Sequence, residues 1–187
     1  MNLIKPKINY IIESKRLIIK PIVFQDITEK YIEWLNNKEV NKYLSTKEGD
    51  KNSIINYINN LRKSNLDLLA IFNNNFHIGN LSITSLNSRS ACYGLMIGDF
   101  NARLMGLGGE ASLAILKLMF DKLSIERLEV LVAKNNESAC RNLLDLGFSK
   151  FDTNDISAVI FELNKKDWNN QRITNSRLYN KIRISKN

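Results

Sequence analysis

The chain has 187 residues, 44% of them hydrophobic and 25% charged, with a net charge of +8, proportions that suit one globular domain with a sizeable core. Its two cysteines, Cys92 and Cys140, have neither the spacing of metal ligands nor the density of a disulfide scaffold, and read as small apolar residues in a reducing compartment. No window approaches the roughly eighteen consecutive apolar residues of a membrane span, and no apolar run near the start leads to a small-residue cleavage site, so a cytoplasmic protein without a metal is expected.

In chain order, "RLIIKPIV" predicts the first strand and "DITEKYIEWLNN" a helix, with Asp26 as its cap and Ile27, Tyr31, Trp34 and Leu35 on one face. A second helix is expected at about residues 51–63. "LDLLAIF", "HIGNLSITSL" and "ACYGLMIG", separated by the turn sequences "NNNF" and "NSRS", predict an antiparallel meander. "RLMGLGGEA" leads into an apolar helix reaching about Leu123, and "ERLEVLVAK" returns as a strand. "NESACRNLLDLG" predicts a short helix with Ala139, Leu143 and Leu146 on one side and Gly147 at its C-cap; "FSKF" and "AVIFEL" close as strands. The order β-α-α-βββ-α-β-α-ββ is that of a mixed α/β (α+β) domain. From Asn164 onward seven Lys and Arg face one Asp, with no clear helical period, so residues 169–187 read as a solvated, partly ordered basic extension to a single domain over residues 1–168.

Three glycines at Gly106, Gly108 and Gly109 precede a helix whose first backbone N–H groups lack intrahelical partners. Such a terminus suits an anion, and equally a tight turn or close helix-to-sheet packing.

The R-x-x-G-x-G of Arg103, Gly106 and Gly108, placed between the fourth strand and the long apolar helix, resembles the GNAT N-acetyltransferase superfamily. "SKRLIIKPI", "YIEWLNNKEVNKYL", "IGN", "GLMIGD", "GGEA" and "NESACRNLLDLGF", in that order, are similar to its RimJ/RimL-like subgroup and closest to bacterial amino-sugar acetyltransferases, over residues 14 to about 168. The resemblance implies the GNAT fold, a mixed, mostly antiparallel sheet flanked by helices and splayed between its fourth and fifth strands, with acetyl-CoA as co-substrate. It places the pyrophosphate on Arg103, Leu104, Met105, Gly106, Leu107, Gly108 and Gly109, and the pantetheine arm on Leu95, Met96, Ile97 and Gly98, where a backbone N–H would stabilise the developing oxyanion. Asn136, opening the later helix, is expected to contact the cofactor or to cap the helix.

The sequence departs from the family where protons are handled. The tyrosine that often protonates the departing thiolate is replaced by Leu143, and the glutamate base on the fourth strand by Cys92. His77, the only histidine, and Asp99 are the catalytic candidates, with Glu110 and Glu33 behind them and water as the remaining carrier. For the acceptor, Trp34, Asn37, Tyr43 and Asn80 are candidates to bind a nucleotide-linked amino sugar, an anionic substrate suited to a basic protein. The alternatives are a RimJ/RimL-like protein N-terminal acetyltransferase, and a non-catalytic acetyl-CoA-binding domain whose tail meets RNA or a ribosome. A small-molecule amine is the expected partner, without DNA or membrane, and a homodimer is left open.

Overall fold

The computed structural model describes residues 2–44 and 49–187; Ser45–Glu48, which follow the acceptor candidate Tyr43 in the sequence, lie outside the described residues. Nine strands form one sheet in the order β7-β8-β6-β5-β4-β3-β2-β1-β9. They are β1 (Tyr10–Glu13), β2 (Leu17–Pro21), β3 (Asp67–Asn73), β4 (Phe76–Leu86), β5 (Ser90–Ile97), β6 (Arg127–Ala133), β7 (Ser149–Asp152), β8 (Ala158–Asn164) and β9 (Arg183–Lys186). Every neighbouring pair is antiparallel except β5 and β6.

Alternation along β3 shows why helices cover two faces. Leu69 and Ile71 join the core beneath α4 (Leu107–Lys117) and α5 (Glu137–Asp145), while Leu68 and Ala70 join the one beneath α1 (Glu29–Asn36) and α3 (Lys51–Lys63). The four-residue α2 (Lys38–Asn41) follows α1. Asn74 and Asn75 both take left-handed backbone, φ 48° and 65°, so the β3–β4 connection is a two-residue hairpin turn. At "NSRS", the Asn87 carboxamide oxygen accepts from the N–H groups of Arg89 and Ser90. Buried on most sides, α4 has Ala111, Ala114, Ile115 and Leu116 fully enclosed. A five-residue π turn, Leu118–Lys122, prolongs it, ending as expected at Leu123.

Asp26 does not cap α1. Its carboxylate accepts from Val23 N at 2.9 Å within a 3-10 turn (Phe24–Asp26), and Thr28 caps the helix by accepting from Tyr31 N. The chain needs that extra turn to pass from β2 to α1.

The tail is more ordered than the sequence suggests, although most of residues 169–187 stay exposed or half-buried. Residues 165–186 fold as α6 (Lys165–Thr174), α7 (Ser176–Tyr179) and β9, and β9 pairs with β1, a strand that precedes the predicted first one. Trp168 is fully buried, stacked on Phe120, with its indole N–H on Asp121. Lys117 donates to the carbonyls of Tyr179 and Ile182, and its Nζ lies 4.0 Å over the Tyr179 ring. The tail thereby satisfies polar groups around the π turn and buries an aromatic anchor that a loose extension would leave wet.

Candidate active site

β5 and β6 run parallel and pair only over Ser90–Cys92 and Arg127–Glu129. Beyond that point they stay ordered through their outer neighbours, β5 on β4 as far as Ile97 and β6 on β8 as far as Ala133, and separate from each other. The result is an open wedge walled on one side by Leu95, Met96 and Ile97, all half-buried.

At the wide end of β5 the chain makes a 3-10 turn (Phe100–Ala102) and the glycine loop, then enters α4. Leu104 and Gly106 are left-handed, φ 64° and 71°; Leu104 is fully exposed, and holding a leucine there costs about 1 kcal/mol. Gly106 is the N-cap of α4 and brings no side-chain acceptor, so the first backbone bond of the helix is Glu110 N to Gly106 O at 3.3 Å. The preceding N–H groups and the positive helix end therefore face outward together.

The three glycines have three different reasons. Gly106 needs its backbone angle, and at Gly109 a Cβ would come within 2.9 Å of the Asn142 carboxamide oxygen on α5. At Gly108 a Cβ would make only ordinary contacts, 3.7 and 3.9 Å, with Leu95 and Ile97, so packing inside the chain does not call for glycine. A Cβ there would instead fill the cradle between loop and wedge. Leu107 is buried and offers only its backbone, and Met105 is exposed.

Arg103, expected to face the pyrophosphate, donates from Nε to Ile97 O at 3.0 Å and lies 4.6 Å over the Phe100 ring. Gly98 differs from its expected role too. Its N–H is committed to Ile78 O, and a Cβ would come 2.2 Å from the Trp34 ring, so this glycine admits the tryptophan. Asn136 caps α5 by accepting from Ala139 N at 3.3 Å.

Beside the end of β5 a cleft opens between α1 and the 3-10 turn, lined by Lys30, Glu33, Asn37, Asp99 and the exposed Phe100 and Asn101, with the edge of Trp34 at its back. It unites Trp34, Asn37 and Asp99. Trp34 is mostly buried in the second core, so it supplies the cleft's back wall rather than a free stacking surface. Tyr43 and Asn80 lie elsewhere: the Tyr43 hydroxyl donates to Asn135 O at 3.0 Å, and Asn80 is buried on β4.

Neither catalytic candidate has the surroundings of a free base. Asp99 caps the 3-10 turn, accepting from Asn101 N and Ala102 N, and its other oxygen takes the Lys30 ammonium. The Lys30 hydrogen bond, reinforced by the turn's N–H groups, holds its carboxyl below the ordinary value despite burial. His77 packs among Tyr31, Trp34 and Phe72, outside the residues lining the cleft. Its Nε2 faces two acceptors, Gly79 O and Asn80 Oδ1, so the proton resides there, and burial depresses its pKa and keeps the ring neutral.

Glu110 has become a strut. It is buried, taking the Ser14 hydroxyl and Arg16 N on one oxygen and Arg16 Nε on the other. Sequence reading missed Arg16 and Lys30 because each looks like an ordinary surface cation; their partners lie 94 and 69 residues away. Both cysteines are free thiols, and Leu143, where an acid was sought, is buried core.

The profile of the acetyltransferase (GNAT) domain family matches residues 16–166, most of the chain. The chain belongs to the GNAT acetyltransferase family. It is an acyltransferase with acetyl-CoA as co-substrate, and the uncapped start of α4 offers N–H donors of the kind a pyrophosphate takes. Similar solved structures include FdhC, a nucleotide-linked sugar GNAT, with a TM-score of 0.76 at 21% identity, covering 92% of this chain and 99% of that one. The spermidine N-acetyltransferase of Vibrio cholerae, solved with CoA and spermine, gives 0.71 at 16%, covering 82% and 98%. A GNAT-family acetyltransferase of Bacillus anthracis gives 0.71 at 16%, covering 83% and 99%. No curated protein sequence matches the chain. Among the described residues no helix is long and apolar enough to cross a membrane.

Proposed function

We propose that this GNAT acetyltransferase moves the acetyl group directly to a primary amine on a nucleotide-linked amino sugar. The observation that carries the reading is the charge balance of the cleft at the end of β5. Its buried carboxylate, Asp99, is already neutralised by Lys30, leaving Glu33 as the free acid, beside the exposed ring of Phe100 and the amides of Asn37 and Asn101. A polyamine would find little free negative charge there. A sugar ring with an anionic tail finds an aromatic surface, amide partners and a basic protein around it. The likeness to FdhC, a nucleotide-linked sugar GNAT, supports the same choice.

Acetyl-CoA brings the acetyl group as an activated thioester. The amine nitrogen bonds to the acetyl carbon as the carbon–sulfur bond breaks, and the proton lost by the nitrogen is balanced by the one the thiolate gains. With Asp99 ion-paired and His77 packed among three rings outside the cleft, the proton passes to Glu33 at the cleft wall or to water at the open wedge. A tail folded onto the sheet gives less support to a free RNA-binding arm.

The test is thiol release from acetyl-CoA with a panel of amines: a nucleoside-diphosphate-linked amino sugar, spermidine and a peptide with a free N-terminus. Turnover is expected with the first. Preferred turnover of either other amine, or of none, would overturn the reading.

A further inference from the structure

We propose that Arg16, from the β1–β2 turn, is the cation that meets the pyrophosphate of acetyl-CoA at the 103–109 loop, in the place expected of Arg103. Its guanidinium is fixed on two sides. Nε donates to Glu110 Oε2 at 2.7 Å and Nη1 to Met105 O at 2.8 Å, so one arginine ties the first turn of α4 to the loop before it. Nη2 has no hydrogen-bond partner among the described residues and lies 3.8 Å from where a Cβ on Gly106 would sit. It therefore stands beside the N-cap whose following N–H groups point outward, with a donor free for a phosphate oxygen.

Glu110 makes this placement rigid. The carboxylate is buried and receives the Ser14 hydroxyl at 2.7 Å and Arg16 N at 2.8 Å in addition to Nε, so the guanidinium plane is set before any ligand arrives. Arg103 has spent Nε on Ile97 O and its face on Phe100. Lysine's compact ammonium lacks the planar fork whose separate nitrogens reach Glu110 and Met105 and leave a third for a phosphate.

The test compares two ligands by titration calorimetry: acetyl-CoA, and S-acetylpantetheine, which has the same thioester arm without the pyrophosphate. In Arg16→Gln, acetyl-CoA affinity is expected to fall about tenfold or more while S-acetylpantetheine changes less than about twofold, and the salt dependence of acetyl-CoA binding becomes shallower. Arg103→Gln should lose less, and Arg16→Lys should fall between wild type and Arg16→Gln. Equal weakening of both ligands in a folded Arg16→Gln protein would reduce Arg16 to a loop support and overturn the proposal. So would unchanged acetyl-CoA affinity, or a larger loss in Arg103→Gln. If Arg16→Gln does not fold, Arg16→Lys decides: wild-type affinity and salt dependence there would overturn the proposal, and a selective loss toward acetyl-CoA would support it.

Discussion

At Glu110 three donors from the β1–β2 turn converge on one buried carboxylate. Burial alone would raise its pKa, but the bonds from Ser14 and Arg16 outweigh burial and hold it below the ordinary 4.5. A carboxyl that titrates lower when folded contributes fully above its unfolded value, and the contribution is lost as pH falls through the depressed one. Glu110→Gln is therefore expected to cost about 2 kcal/mol at pH 7, roughly 5 °C in Tm, and its gap from wild type should close on acidification below about pH 4. Thermal melts at a series of pH values check both the size and the sign. His77 leads to the opposite expectation from that of a catalytic base: His77→Ala should cost about 2–3 kcal/mol by opening space among three rings, with kcat/KM of the folded protein within about threefold of wild type. Neither cysteine is needed in a direct transfer, so a Cys92→Ala, Cys140→Ala protein should retain turnover, and wild type incubated with acetyl-CoA alone should show no acetyl adduct by intact mass.

Elements with strong periodicity of their own were legible in the sequence. The α3 helix, the β3–β4–β5 meander with its asparagine turn, and α5 with its left-handed Gly147 all appear where pattern and turn chemistry place them. β1 and β9 were not, because each has only four residues: β1 forms a short hairpin with β2, and β9 has β1 as its strand partner, from the other end of the chain, Tyr10 opposite Lys186 and Glu13 opposite Arg183. α6 was hidden for a related reason, since one buried tryptophan fixes it. Deleting residues 169–187 removes most of α6, all of α7 and the partner of β1, and should lower Tm on the order of 10 °C. Among the described residues no hydrogen bond or ion pair joins that segment to residues 103–109, so acetyl-CoA affinity of the folded remainder should stay within a few-fold, by melting curve and calorimetry on the same truncated protein.

On the scale of the molecule, the sheet is held from its two flanks and left open in the middle. β4 supports β5 and β8 supports β6, so the two inner strands part without fraying, and α4 aims its N-terminus across the gap. The glycines, the helix behind them and the order of elements made this much readable in advance. The partners of Asp99 and Glu110 were not, because Lys30 meets Asp99 and Arg16 meets Glu110 through pairings that no local pattern encodes. The central claim is that the cradle between loop and wedge holds acetyl-CoA, and Gly108 is its most direct probe, since the chain itself leaves room for a side chain there. Calorimetric titration of acetyl-CoA into wild type and Gly108→Val should show one site per chain in wild type and at least a tenfold loss in a variant that melts within a few degrees of it. Undiminished affinity in the folded Gly108→Val protein would contradict the account.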